Sequence, residues 1–364
     1  MERHGKALDL LARGTVIPAT PLALNERREL DEQTQRVLMR YYLDSGVGGI
    51  ATAVHSTQFA IRDPHVGLFE RILELVADEI SRYESGQGRT IVRIAGACGP
   101  TDQAEREARL AAKHGYDAVL LSPGGLSHLT EEELLRRTEA VAEVLPVIGF
   151  YLQPAVGGRT FSYAYWERLC AIENVVAIKA ASFDRYRTLD VVRAAALSAR
   201  SDKIALYTGN DDNIVLDLLT TWRFRQNGKT YEKRFVGGLL GHWCVWTHRV
   251  VDLFEAIRAI REGDALPIEW LTRAQEVTDA NAAFFDAANG FRGCIPGLHE
   301  VLRRQGIFKN TLCLDPDERL SPGQKEEIDR VYAMYPHLND DDFVRDNLSR
   351  WATAPDGDKK YRRF

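Results

Sequence analysis

The stretch NVVAIKAAS, Asn174 to Ser182, is an apolar run with one charged residue, Lys179, at its centre. It is too short for a helix, and its valines, isoleucine and alanines read as a strand buried in a sheet. A buried ammonium is costly unless it is paired or loses its proton. Alternation places Val175, Ala177, Lys179 and Ala181 on one face, and Val176, Ile178 and Ala180 on the other. The larger apolar residues belong against covering helices, so Lys179 is expected to point inward over small neighbours.

Similar runs recur along the chain: TVIPAT (15–20), GGIATAV (48–54), TIVRIAGA (90–97), DAVLLSP (117–123), PVIGFYLQP (146–154), KIALYTG (203–209) and FVGGLLG (235–241). With 175–182 they make eight candidate strands. Helical patterns lie between them. DEQTQRVLMRYYLDSG has acids in its first turn and a glycine stop; TDQAEREARLAAKHG opens on Thr101 as N-cap and ends at Gly115; LTEEELLRRTEAVAEV carries a capping box from Thr130 to Glu133. Alternating strands and helices predict an α/β fold, a (β/α)8 TIM barrel, over 12–262. A doubly wound open sheet is the competing architecture, but no glycine-rich phosphate turn follows its first strand. Helices without new strands are expected near 265–287, 294–305, 322–334 and 339–351, giving a C-terminal helical extension over 263–364. ESGQGR (84–89) reads as a polar loop.

The 364 residues are 45% hydrophobic and 27% charged, with a net charge of −5. Mild acidity without a basic cluster argues against a nucleic-acid partner; the basic tail DKKYRRF reads as a solvated end. No apolar run is long enough to span a membrane, and the N-terminal stretch lacks the apolar core of a signal peptide. Cys98, Cys170, Cys244, Cys294 and Cys313 are scattered, without a CxxC, as in reduced thiols of a cytoplasmic protein.

In a barrel, active sites gather at the C-terminal ends of the strands. The polar residues there are Thr20, His55, Ser56, Thr57, Tyr151, Gln153, Lys179, Ser182, Thr208, Asn210, Asp211, Asp212 and His242. Alternation groups Ile148, Phe150 and Leu152 on one face of 146–154, and Val147, Gly149, Tyr151 and Gln153 on the other. The smaller face is expected inside, which brings Tyr151 beside Lys179. A neutral amine and a tyrosine in one partly dry pocket suit Schiff-base chemistry on a ketone, the tyrosine shuttling protons. The competing reading is a lysine that snorkels to water beside a structural tyrosine.

These residues, with GTVIPATPL, GGIATAVHSTQF, YLQPAVGGRT and GCIPGLHEVLRRQG, resemble the dihydrodipicolinate synthase and N-acetylneuraminate lyase family of pyruvate-dependent class I aldolases over roughly 12–335. The resemblance implies Lys179 as the Schiff-base lysine and Tyr151 as the proton-transfer tyrosine, with no cofactor. It implies a 2-oxo acid such as pyruvate and an aldehyde as substrates, and a homotetramer or homodimer. Ser56 and Thr57 take the places of paired threonines that hold the pyruvate carboxylate, with His55, Arg159 and Gly209 as further substrate-binding residues. A shift of one residue would instead put His55 and Ser56 at the threonine positions. SPGGLSHL (122–129) has Leu126 where synthases carry a relay tyrosine, and Arg159 follows an inserted AVGG. These departures point away from dihydrodipicolinate synthesis and towards cleavage or dehydration of a longer 2-oxo acid. His55, or else His242, is then expected to supply the missing proton transfer.

Two other classes compete. His55, His242, Asp211 and Asp212 at strand ends are metal-ligand types, but no HxH or HExxH spacing occurs. GGLLG (237–241) reads as small residues for tight packing before a phosphate cradle. Retention of both Lys179 and Tyr151 argues against a non-catalytic 2-oxo-acid-binding barrel, since neither is expected to help packing.

Overall fold

A computed structural model describes residues 2–353; the basic tail lies outside them. Eight parallel strands form one sheet: β1 (Val16–Pro18), β2 (Gly49–Thr52), β3 (Val92–Ala97), β4 (Ala118–Leu121), β5 (Val147–Leu152), β6 (Val175–Ala181), β7 (Ala205–Thr208) and β10 (Phe235–Leu240). Their order is β1-β10-β7-β6-β5-β4-β3-β2, and a parallel bridge from Ala19 to Ala51 joins the ends into a barrel. Each strand lies within the run expected of it.

The helices are α1 (Glu2–Arg13), α2 (Glu32–Ser45), α3 (Phe69–Gln87), α4 (Thr101–Lys113), α5 (Glu131–Ala142), α6 (Tyr163–Ala171), α7 (Arg185–Leu197), α8 (Ile214–Leu219), α9 (Thr247–Arg261) and, C-terminally, α10 (Glu269–Phe284), α11 (Cys294–Arg304), α12 (Gln324–Met334) and α13 (Asp341–Thr353). The Thr130–Glu133 capping box forms. Thr101 does not cap: it is the first helical residue, preceded by Pro100, whose fixed φ enters the helix directly. The 84–89 loop is mostly helix, because α3 continues to Gln87 and stops only where Gly88 turns left-handed.

Two hydrophobic layers set the barrel's geometry. The inner one holds Ile17, Ala51, Ile94, Leu120, Ile148, Phe150, Ala177 and Leu239. Helix α1 closes its floor: Ala7 and Leu11 join this layer, and the Tyr207 hydroxyl donates to the Leu11 carbonyl at 2.7 Å. The outer layer lies between strands and helices. In GGLLG the glycines serve packing, since a Cβ on Gly238 would stand 2.5 Å from the Trp243 ring.

An antiparallel hairpin, β8 (Trp222–Gln226) with β9 (Lys229–Lys233), precedes the last barrel strand and has no counterpart in the sequence expectation. Its turn is Asn227-Gly228 with φ of 52° and 76°, the left-handed pair that matches hairpin twist. The C-terminal helices pack on the barrel. Arg40 donates to the Trp351 carbonyl at 2.6 Å, the Trp351 indole to Asp44 at 2.6 Å, and Tyr41 to Asp340 at 2.8 Å. The segment between α10 and α11 reaches the barrel mouth.

Candidate active site

Lys179 is 8% exposed and points into the barrel. Its Nζ stands 4.6 Å from the centroid of the Phe150 ring, the residue paired with it on β5. A cavity of about 70 Å³ opens above it, walled by residues from the ends of seven barrel strands, from the α10–α11 connection and from the start of α11. Small neighbours create the space, as alternation predicts for Ala177 and Ala181. Gly209, just past β7, contributes by lacking a side chain.

The same rule fails on β5. Ile148, Phe150 and Leu152 face inward, and Tyr151 faces the helices. Tyr151 stacks on Trp166 at 5.2 Å and meets Phe161 edge-on at 5.6 Å. Gly149 also faces outward, where a Cβ would come within 2.6 Å of Leu169 on α6. A glycine that lets α6 approach, and an aromatic slot that takes the tyrosine ring, outweigh the size rule. Tyr151 therefore does not share the cavity with Lys179, and it does serve packing.

The turn after β2 carries three of the expected binding residues. His55 and Ser56 line the cavity; Thr57 turns away, its hydroxyl donating to the Thr20 carbonyl at 2.7 Å. This matches the register shifted by one. Ser56 donates to the Ala19 carbonyl at 2.6 Å, which ties the turn to β1. The turn is strained: Ala53 and Gln58, on either side, have φ of 59° and 67°. Arg62 holds it by donating to the carbonyls of Ala53 at 3.0 Å and Gly96 at 2.9 Å, itself paired with buried Glu107. Arg159 is not at the cavity. Its guanidinium donates to the Leu129 carbonyl and lies over the Phe161 ring, because the AVGG insertion carries it to the outer surface. Leu126 likewise packs in the outer layer.

Asp211, one of the strand-end polar residues and not among the expected substrate-binding ones, is the carboxylate in the cavity wall. It accepts the His242 backbone N–H at 2.9 Å. The His242 ring points elsewhere, to Asn281 at 3.1 Å, and stacks on Phe284. The loop bearing Asp211 is fixed from below. Buried Asp217 accepts from Thr208 at 2.7 Å and from Asn210 at 2.9 Å, while Asn210 accepts the Phe183 N–H at 3.1 Å. No signal in the TGNDD motif separates Asp211 from Asp212; the loop's curvature alone buries the first and exposes the second.

Burial governs the titration of this site. It pushes the Lys179 amine well below its ordinary value, and only the Asp211 charge acts against it. It pushes the Asp211 carboxyl upward, opposed by the His242 amide and by Lys179. His55 is lowered to about 4 by burial and by the Lys179 charge. An imidazole of that kind stays neutral near pH 7, contrary to its expected role as a group titrating there. Among the described residues, Lys179 closes no salt bridge, and no group of three His, Cys, Asp or Glu side chains is arranged to hold a metal ion. The five cysteines are unpaired.

Residues 12–221 match the Dihydrodipicolinate synthetase family. The chain is 24% identical over 326 residues to N-acetylneuraminate lyase 2 of Escherichia coli O6:H1, covering 89% of this chain and 93% of that protein. It is 28% identical over 211 residues to 4-hydroxy-tetrahydrodipicolinate synthase of Heliobacterium modesticaldum, covering 57% and 65%. Among solved structures, dihydrodipicolinate synthase from Oceanobacillus iheyensis superposes with a TM-score of 0.71 at 16% identity, covering 92% and 99%. N-acetylneuraminate lyase from Fusobacterium nucleatum complexed with pyruvate gives 0.66 at 16% identity, covering 89% and 97%. These two likenesses establish the shared fold. No helix among the described residues is long and apolar enough to cross a membrane.

Proposed function

The chain belongs to the dihydrodipicolinate synthetase family, and on that premise we propose that Lys179 is the nucleophile of a class I aldolase or lyase acting on pyruvate or a longer 2-oxo acid. The observation that carries the assignment is a lysine inside the barrel, without an ion-pair partner among the described residues, at the floor of a cavity kept open by Gly209. Burial favours the neutral amine, which attacks the 2-oxo carbon and, with loss of water, forms an iminium. The iminium withdraws electrons from the neighbouring carbon, so that carbon can lose a proton or break its bond to a former aldehyde. Ser56, with the backbone of the turn at 55–57, lies where the substrate carboxylate would bind.

Proton transfer falls to Asp211 in this proposal. Its raised pKa lets the carboxyl carry a proton near neutrality, and the His242 amide fixes its direction. His55, held neutral, is a hydrogen-bonding wall residue. Arg159 and Tyr151 have no direct part. The aldehyde partner differs from that of a dihydrodipicolinate synthase, and dehydration of a 4-hydroxy-2-oxo acid is the second activity of the same site. We place the enzyme in the cytoplasm as a dimer or tetramer. The exposed Leu266, Ile268 and Leu271, at and before the start of α10, offer apolar surface for assembly. Borohydride reduction with pyruvate, followed by peptide mass spectrometry, tests the central claim: the adduct is expected on Lys179, and an adduct elsewhere or none with any 2-oxo acid refutes it.

A further inference from the structure

Resting on the aldolase reading, we infer that the aldehyde partner is uncharged and largely apolar, an aromatic or branched aliphatic aldehyde. Polar groups of the cavity concentrate around Lys179: Ser56, His55 and Asp211. Beyond them the wall is hydrocarbon. Phe150 and Leu152 come from β5, Val156 from the loop after it, Phe183 from the loop after β6, and Phe285 and Phe291 from the C-terminal extension. The amide of Gln153 is the neutral polar group on that side.

A second carboxylate has no cation to meet there. Lys179 supplies the one Lys or Arg side chain of the described cavity wall, and it is committed to the imine. Arg159, which the family pattern would bring to the second substrate, is held outside by the Leu129 carbonyl and the Phe161 ring. Asp211, the carboxyl group of that wall, offers a carboxylate no positive charge. A polyhydroxylated aldehyde fares no better, because the Gln153 amide can pair with one or two of its hydroxyls and the rest would face rings and methyl groups.

The apolar wall is also deliberately held. Phe183 and Phe291 both adopt left-handed backbone geometry, with φ of 51° and 66°. The N–H of Phe183 is fixed by Asn210 and that of Phe291 by the Asp286 carbonyl at 3.0 Å. Their rings meet edge-to-face at 5.7 Å. Strain kept at two positions that bring phenyl groups together over the cavity fits selection of an apolar guest. In the reaction, the methyl carbon of pyruvate, as the enamine, forms a bond to the aldehyde carbon. The carbonyl π pair moves to oxygen, which takes the Asp211 proton. Water then hydrolyses the iminium, releasing a 4-hydroxy-2-oxo acid and the free Lys179 amine.

The test measures kcat/KM of the full chain for pyruvate with benzaldehyde, isobutyraldehyde, succinic semialdehyde and glyceraldehyde, beside borohydride trapping with pyruvate alone. Benzaldehyde or isobutyraldehyde is expected to exceed both others by about tenfold or more, the discrimination a hydrophobic pocket provides. Phe183→Arg is expected to move the preference towards succinic semialdehyde. A trapped pyruvate adduct with faster turnover of the semialdehyde or glyceraldehyde overturns this inference and leaves the aldolase reading standing. If no adduct forms, the aldolase reading falls, and saturation-transfer NMR of benzaldehyde against succinic semialdehyde decides the cavity's selectivity by itself. Equal or stronger binding of the semialdehyde overturns the inference there too.

Discussion

A Cβ placed on Gly209 would stand 2.5 Å from Cε of Lys179. No carbon can occupy that position unless the lysine moves and the Ala181 methyl, 2.8 Å away, also gives, so the glycine past β7 sets the course of the side chain on β6. Gly209→Ala should leave the barrel folded while displacing the amine. A misplacement of about 1 Å costs roughly 10²-fold in rate when reacting groups must be aligned. The pyruvate-trapping rate should therefore fall by about that factor, with an unfolding temperature close to wild type. Unchanged trapping kinetics would mean that the amine reaches the ketone by another course.

Replacing the amine itself bears on stability. The native amine titrates below its unfolded value of about 10.4, so between those two values the unfolded chain binds the extra proton. Wild-type stability thus rises with pH across that window, and the burial penalty is largest below it. Lys179→Met keeps the chain length and removes the charge. It should unfold at a higher temperature than wild type at pH 7, with the difference shrinking as pH approaches 10. Thermal unfolding at both pH values checks this; a variant less stable at pH 7 would show that the ammonium is well paired in the folded protein.

Tyr151→Phe should lower turnover by less than about threefold, since the ring keeps its stacking on Trp166 and no hydroxyl is withdrawn from the cavity. Tyr151→Ala should instead cost about 3–5 kcal/mol of stability, the usual loss for a large aromatic removed from a core. Steady-state kinetics and denaturant unfolding separate the two. A 10²-fold loss in Tyr151→Phe would return the tyrosine to the proton route.

The contrast between β5 and β6 explains how far the sequence could be read. On β6, small residues flank Lys179 on one face and larger ones face the helices, so alternation gave the direction correctly for Ala177, Lys179 and Ala181. Val175 escapes that pattern and joins the outer layer, where the pairing of β5 and β6 shifts register. On β5 both faces are apolar, and what decides between them is tertiary: the slot built by Trp166 and Phe161, and the approach of α6 over Gly149. Helices and strands were legible because their apolar periods and end signals are local. The hairpin at 222–233 was missed although Asn227-Gly228 is a recognisable turn pair, because the flanking strands are largely exposed and carry no apolar run. Asp211 could not be told from Asp212 before the loop's path was known.

Asp211→Asn tests the proton route most directly. Asparagine keeps an oxygen to accept the His242 amide at 2.9 Å and nearly the same shape, so the loop should hold, but it cannot deliver a proton. Turnover should fall by about 10²–10⁴, the range for loss of a general acid–base group. The same change alters Lys179. The Asp211 charge is what opposes the lowering of the amine's pKa, so without it the neutral amine persists to lower pH. The acidic limb of the pyruvate-trapping rate should accordingly shift to lower pH, even as overall turnover drops at every pH. Because Lys179 and Asp211 titrate as a pair, the wild-type limbs belong to both groups together. His55→Gln provides the contrast: an imidazole lowered to about 4 is neutral from pH 5 to 8 in wild type as well, so its replacement should leave the shape of the profile in that range unchanged. An Asp211→Asn enzyme with normal turnover and an unshifted limb would exclude the carboxyl from the chemistry, whereas a reshaped profile in His55→Gln would restore the histidine as the proton carrier.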